Sequence, residues 1–91
     1  MKADMKTYTQ GPNEALDYEV LVVGDTICSA TASITPNTAT LSPVFVSVNA
    51  LSARVRVSGI GSGTYRLSMH IVGTSGQVWD EPDTSVLITG V

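Results

Sequence analysis

The sequence predicts an all-β fold, an antiparallel sandwich of about seven short strands, and three observations predict it. The first is alternation. Tyr65, Leu67, Met69 and Ile71 alternate with Arg66, Ser68 and His70, and successive side chains of a strand point to opposite faces, so one set meets a core and the other meets water. The second is punctuation. Turn residues recur at intervals of roughly eight to twelve positions, the spacing of antiparallel sandwiches. The third is the absence of helical periodicity. No window repeats its apolar residues every three to four positions, and Asn13 to Leu16 offers one helical turn at most.

The elements follow in order. Met1 to Lys6 is polar and predicts a flexible N-terminal arm. Lys6 to Thr9 is a short first strand, ended by the turn Gln10-Gly11-Pro12-Asn13, where proline fixes φ and glycine supplies freedom. Leu16 to Val23 is the second, with Leu16, Tyr18, Val20 and Val22 on one face and Asp17 and Glu19 opening the other. Gly24-Asp25 turns the chain. Ile27 to Ile34 is a third strand of small residues, stopped by Thr35-Pro36-Asn37. Thr38 to Leu41 pairs briefly, and Val44, Val46 and Val48 alternate with Phe45 and Ser47. Val55 and Val57 alternate with Arg54 and Arg56. Gly59 to Gly63 is a glycine-rich connection into the Tyr65 strand. Gly73-Thr74-Ser75-Gly76 is a tight turn, Gln77 to Trp79 continues beyond it, and Asp80-Glu81-Pro82-Asp83 breaks the ladder because proline cannot donate to it. Ser85 to Val91 closes a single domain spanning residues 1–91. The expected core contains Tyr18, Val20, Val46, Val55, Leu67, Met69 and Ile71.

Tyr65 adds detail. A Gly-x-Tyr at a strand entry, here Gly63-Thr64-Tyr65, matches the tyrosine corner of immunoglobulin-like sandwiches, in which the phenol ties back to a nearby loop backbone. Such folds serve binding and building more often than catalysis, and a fold alone names no function.

Composition narrows the classes. The 91 residues are 43% hydrophobic and 14% charged, against about 25% charged in an average domain. A small domain with a charge-poor surface favours contact with other protein. A chain this short is marginal without outside support. Cys28 is the only cysteine, so no intrachain disulfide supplies that support, and one Cys with one His makes a structural zinc improbable. Neighbouring subunits remain. The net charge of −3 and the lack of a basic patch argue against nucleic acid. Arg54 and Arg56 share a face, with Arg66 expected nearby. Ala15 to Val23 is broken by Asp17 and Glu19 and too short to span a membrane, and Met1-Lys2-Ala3-Asp4 does not open a signal peptide. The expected site of synthesis is a reducing cytosol.

Candidate chemistry is sparse. Gly59 to Gly63 precedes a strand, whereas a phosphate loop needs a following helix. Asp80, Glu81 and Asp83 lack calcium-loop spacing and read as a solvated turn. His70 has no strained nucleophile elbow to serve and reads as an outward or interface histidine. Cys28 reads as a small buried residue rather than an activated thiolate. No catalytic residue, metal or cofactor is expected. Trp79 is the only tryptophan. It is either a core or lid residue or an interface anchor, since tryptophan is enriched at binding hot spots. The candidate interface comprises Trp79, Asp80, Glu81, Met1 and Lys2, with the arm and Gln77 to Asp83 expected to order only against neighbours.

Read end to end, the chain resembles the phage fiber-tail adaptor proteins. The matching pieces are Lys6-Thr7-Tyr8-Thr9, Leu16-Asp17-Tyr18, Gly24-Asp25-Thr26-Ile27, and Gly63-Thr64-Tyr65 through Thr74-Ser75-Gly76 to the last strand. The match is weakest from Thr35 to Ser58. Members of that family commonly carry tryptophan near the end of the second strand and arginine after the Ser-Gly turn, where this chain has Leu21-Val22-Val23 and Gln77. The resemblance implies a non-enzymatic component of the virion. It would stand in several copies at the tail or neck, be made in the host cytoplasm, and join fibers or neighbouring proteins to the tail. Two rivals are a capsid decoration protein and a carbohydrate-binding module. The latter wants several exposed aromatics on one face, and 5% of this chain is aromatic.

Overall fold

The computed structural model describes residues 6–46, 51–81 and 84–91. The described residues contain strands and turns and no helix, in nine segments: β1 (Lys6–Gln10), β2 (Leu16–Leu21), β3 (Ile27–Thr35), β4 (Thr40–Leu41), β5 (Phe45–Val46), β6 (Ser52–Ser58), β7 (Gly63–Gly73), β8 (Val78–Trp79) and β9 (Ser85–Gly90). They form two sheets. One has the order β1-β9-β7-β3, with β8 also on β7; the other is β2-β6-β4, with β5 also on β6.

The nine segments occupy seven strand positions, because two strands are interrupted. β4 and β5 lie in line along one side of β6. Pro43 sits in the gap, where it has no N–H for the ladder. Ser42 bridges the break: its N–H donates to the Arg56 carbonyl, and its Oγ accepts from the Arg56 N–H, both at 3.0 Å. Likewise β8 and β9 lie in line along β7, pairing with Ile71–Val72 and with Gly63–Ser68. Two expectations need correction. β1 runs parallel to β9, so the arrangement is not wholly antiparallel: after β1 the chain crosses to the other sheet. Lys6 pairs with Val86 inside β1 and is not part of a flexible arm, while Met1 to Met5 lie outside the described residues.

The core sits between the sheets. Tyr65, Leu67, Met69 and Ile71 of β7 face Ala53, Val55 and Val57 of β6, with Ile34, Ile60 and Ile88 closing around them. All are nearly solvent-free. Of the seven expected core residues, Tyr18, Val55, Leu67, Met69 and Ile71 are buried, and Val20 and Val46 are half-buried against them.

β3 explains one failure of the pattern. Its register shifts between Ile27 and Ser29: Ile27 faces Gly73 and Ser29 faces Val72, leaving Cys28 without a partner. This extra residue rotates the alternation by one step. Cys28 is therefore exposed, not buried as its neighbours suggest. Ala30 and Ala32 turn inward instead.

Tyr65 ties the strand entry to the preceding loop, as its position predicts. Its phenol oxygen accepts from the Gly61 N–H at 3.0 Å and shares a hydrogen bond with the Thr38 hydroxyl at 3.1 Å. These donors, Thr38 first, hold the phenol below its ordinary value. Tyr65→Phe is expected to lower the melting temperature by about 4–8 °C, the loss of one net hydrogen bond in a domain this size. An unchanged thermal midpoint would show that the ring alone matters.

A buried polar bridge was not foreseen. Gln10 is solvent-free at the end of β1. Its amide Nε2 donates to the carbonyls of Val57 at 2.9 Å and Glu14 at 3.0 Å, and its Oε1 accepts from the Tyr18 hydroxyl at 2.8 Å. It thus links β1 of one sheet to β2 and β6 of the other. Burial also pushes the Tyr18 phenol above its ordinary value.

Candidate interaction surface

Side-chain chemistry is thin and mostly paired. Arg56 grips Asp17 with both guanidinium edges, at 2.8 and 3.3 Å, and Arg54 lies 5.1 Å above the Phe45 ring. Both arginines stand on the outer face of the β2–β6 sheet. Arg66 stands on the outer face of the other sheet, 3.3 Å from Glu81. The expected proximity of the three is therefore wrong: β6 and β7 belong to different layers. His70 faces outward and its Nδ1 lies 2.9 Å from Asp80. Glu81 also accepts from Ser68 at 2.9 Å. No group of three or more His, Cys, Asp or Glu side chains among the described residues is placed to hold a metal ion.

The end of the molecule carrying Trp79 is the most organised surface. It is built by Asp25. The Asp25 carboxylate accepts from the Thr26 N–H at 2.8 Å and the Thr74 hydroxyl at 3.0 Å, and also from the Ser75 hydroxyl. Gln77 reaches the same carboxylate at 3.4 Å. The β7–β8 hairpin closes with Gly73 N–H to Gln77 carbonyl at 2.7 Å, and Gly76 takes a φ of 95° that favours glycine. The sequence marked Gly24-Asp25 only as a turn. The bracket across 50 positions to Ser75 has no local signal.

Gly73 is the seat of Trp79. A Cβ at this position would collide with the Asp25 carboxylate and come within 2.9 Å of the indole ring. Its absence lets both groups settle on the backbone. Trp79 pairs with inward-facing Ile71 and packs, half-buried, against the core. The packing reading of Trp79 is thus seen in the structure. Its inner part is packing. Its outer part lines a groove of about 330 Å³ with Val20, Leu21, Val22, Val23, Gln77 and Thr84. Leu21 is 71% exposed and Val23 is 88% exposed. The indole N–H makes no hydrogen bond among the described residues. A second hollow of about 260 Å³, floored by Leu67 and Met69, adjoins the first through shared Val20 and Thr84.

Asp80 and Glu81 follow Trp79 in the chain and are engaged on the sheet, as described. Gln77 to Glu81 therefore already hold defined contacts within the chain, contrary to an ordering that depends wholly on neighbours. Met1, Lys2, Pro82 and Asp83 lie outside the described residues.

Three carboxylates give an acid dependence. Asp17 is held below the usual aspartate value by Arg56, Asp25 by Ser75 and its neighbours, and Asp80 by His70. A depressed folded-state value means the native chain binds fewer protons than the unfolded one. The stabilisation is therefore present above the ordinary aspartate value, about 3.9, and is lost as pH falls below it. The melting temperature is expected to hold near pH 5 and to drop steadily below about pH 4, with a smaller drop in Asp25→Asn. A flat profile to about pH 2.5 would show that these pairs contribute nothing.

Comparison with protein-family models and with curated proteins finds no match to this chain.

Proposed function

We propose that this chain is a non-enzymatic structural protein of a phage virion, an adaptor that stands in several copies at the tail or neck and joins fibers or neighbouring proteins to it. The observation that carries the reading is the groove at Trp79: an apolar, open hollow flanked by exposed Leu21 and Val23, on a small domain of which only 14% of the residues are charged. Such a patch marks a protein contact.

The finer fold supports the same reading. Calling the strand positions A to G in chain order, one sheet reads B-E-D and the other has G-F-C with the first strand on the G edge. With the Tyr65 corner at the entry to the F position, this order supports an immunoglobulin-like reading of the sandwich. It agrees with the segments through which the sequence resembles fiber-tail adaptors. Mounting in a symmetric assembly would supply stability that a domain of this size lacks.

The test is a reconstruction of intact particles with peptide mapping of the purified virion. The expected result is density for this chain at the tail or neck, with the Trp79 end against a neighbour, and particles of Trp79→Ala that lose the attached component. Density over the capsid shell would replace the adaptor by a decoration protein. Absence from the particle would overturn the reading altogether.

A further inference from the structure

We propose that the free edge of β2 is a strand-docking site, and that its occupant is an extended partner segment alternating apolar with Lys or Arg side chains. The inference rests on the adaptor reading above and specifies how contact is made.

Among the described residues, β2 is the outermost strand of its sheet and is bonded to β6 alone. The Val22 N–H donates to the Leu51 carbonyl at 2.9 Å on the β6 side. Backbone groups alternate sides along an antiparallel strand, and the β2–β6 register runs without a shift. The N–H and C=O groups of Asp17, Glu19 and Leu21 therefore point away from β6, where no other described strand pairs with them. Such a row is a ready template for a further strand. Across the groove, β8 also lacks an outer partner among the described residues.

The side chains specify the occupant. A strand added to β2 alternates its side chains between the two faces. One set enters the groove beside Val20, Val22 and Trp79, which calls for apolar residues. The other lies beside Asp17 and Glu19 on the outer face. Asp17 is held by Arg56. Glu19 has no ion-pair partner among the described residues, since Arg54 opposite it leans over Phe45 toward Asp17. A cation at the facing position pairs with Glu19, and cross-strand opposite charges stabilise. The same acids disfavour a second copy docking β2 to β2, which sets Asp17 and Glu19 against their own counterparts, and like charges across a ladder destabilise.

The experiment titrates the isotopically labelled full chain with three capped peptides: alternating Lys-Val, alternating Glu-Val, and the Lys-Val peptide with a central proline. The expected result is that the Lys-Val peptide shifts and protects the amides of Glu19 and Leu21 and changes Trp79 fluorescence. The Glu-Val peptide should bind roughly tenfold more weakly, and the proline peptide should give no protection. Glu19→Lys, an exposed substitution, should reverse the preference between the charged peptides. Shifts confined to other strands, or equal binding of the two charged peptides, would overturn the proposal. These outcomes are separable from the adaptor reading. A chain found at the tail that pairs with no peptide loses only this docking mode, and a chain absent from particles that still binds the Lys-Val peptide loses only the adaptor role.

Discussion

Gln10→Leu is expected to destabilise the protein by about 2–6 kcal/mol, the cost of leaving two buried polar groups without partners at about 1–3 kcal/mol each. The two groups are the Tyr18 hydroxyl and the Val57 carbonyl, both bonded to the Gln10 amide. Leucine fills nearly the same volume, so packing is little changed and the loss is one of hydrogen bonds. A double-mutant cycle isolates it. Tyr18→Phe removes the stranded hydroxyl, so the pair Gln10→Leu with Tyr18→Phe should be less damaging than the sum of the single changes. Chemical denaturation reads all three. Strict additivity, or a loss below about 0.5 kcal/mol for Gln10→Leu, would show that water satisfies these groups and that the bridge does not hold the sheets together.

The second large effect is Leu67→Ala, at about 2–5 kcal/mol. Leu67 is 2% exposed and lies in the middle of β7, which is paired on one side to β3 and on the other to β9. Neither sheet can shift inward to close the space, because β7 is held by its ladders. The cavity term therefore adds to the lost transfer energy. A domain of 91 residues has about 5–14 kcal/mol of stability in total, so this change consumes a large part of it. A denaturant midpoint within error of the parent protein would place Leu67 at the surface and reverse the register of β7.

How far the sequence carries depends on the range of the interaction. The inward face of β7 was legible, since Tyr65, Leu67, Met69 and Ile71 alternate with Arg66, Ser68 and His70, but Ser68, expected to meet water, is buried beside Ser85 and Glu81. The corner at Tyr65 was legible because the bonded loop lies four residues upstream. The break between β8 and β9 was legible because Asp80-Glu81-Pro82-Asp83 interrupts the run, whereas that β4 and β5 lie in line along β6 was not read from the sequence. Cys28 was misread because a bulge changes the facing of a residue without changing its neighbours in the chain. Arg66 was misplaced because periodicity assigns a residue to a face of its own strand, and not to a layer of the sandwich.

The sequence by itself determined the all-β class of fold, the approximate strand positions and the inward faces of β2, β6 and β7. Those properties rest on side-chain alternation and on the backbone limits of proline and glycine, which act within a few residues. Only the tertiary structure decided the rest. It set β1 parallel to β9, carried Gln10 across to Val57, brought Asp25 to Ser75, and left β2 paired with β6 alone among the described residues. Each of these joins segments far apart in the chain. Their pairing is selected by the global fit of two sheets around one core, which no local pattern encodes.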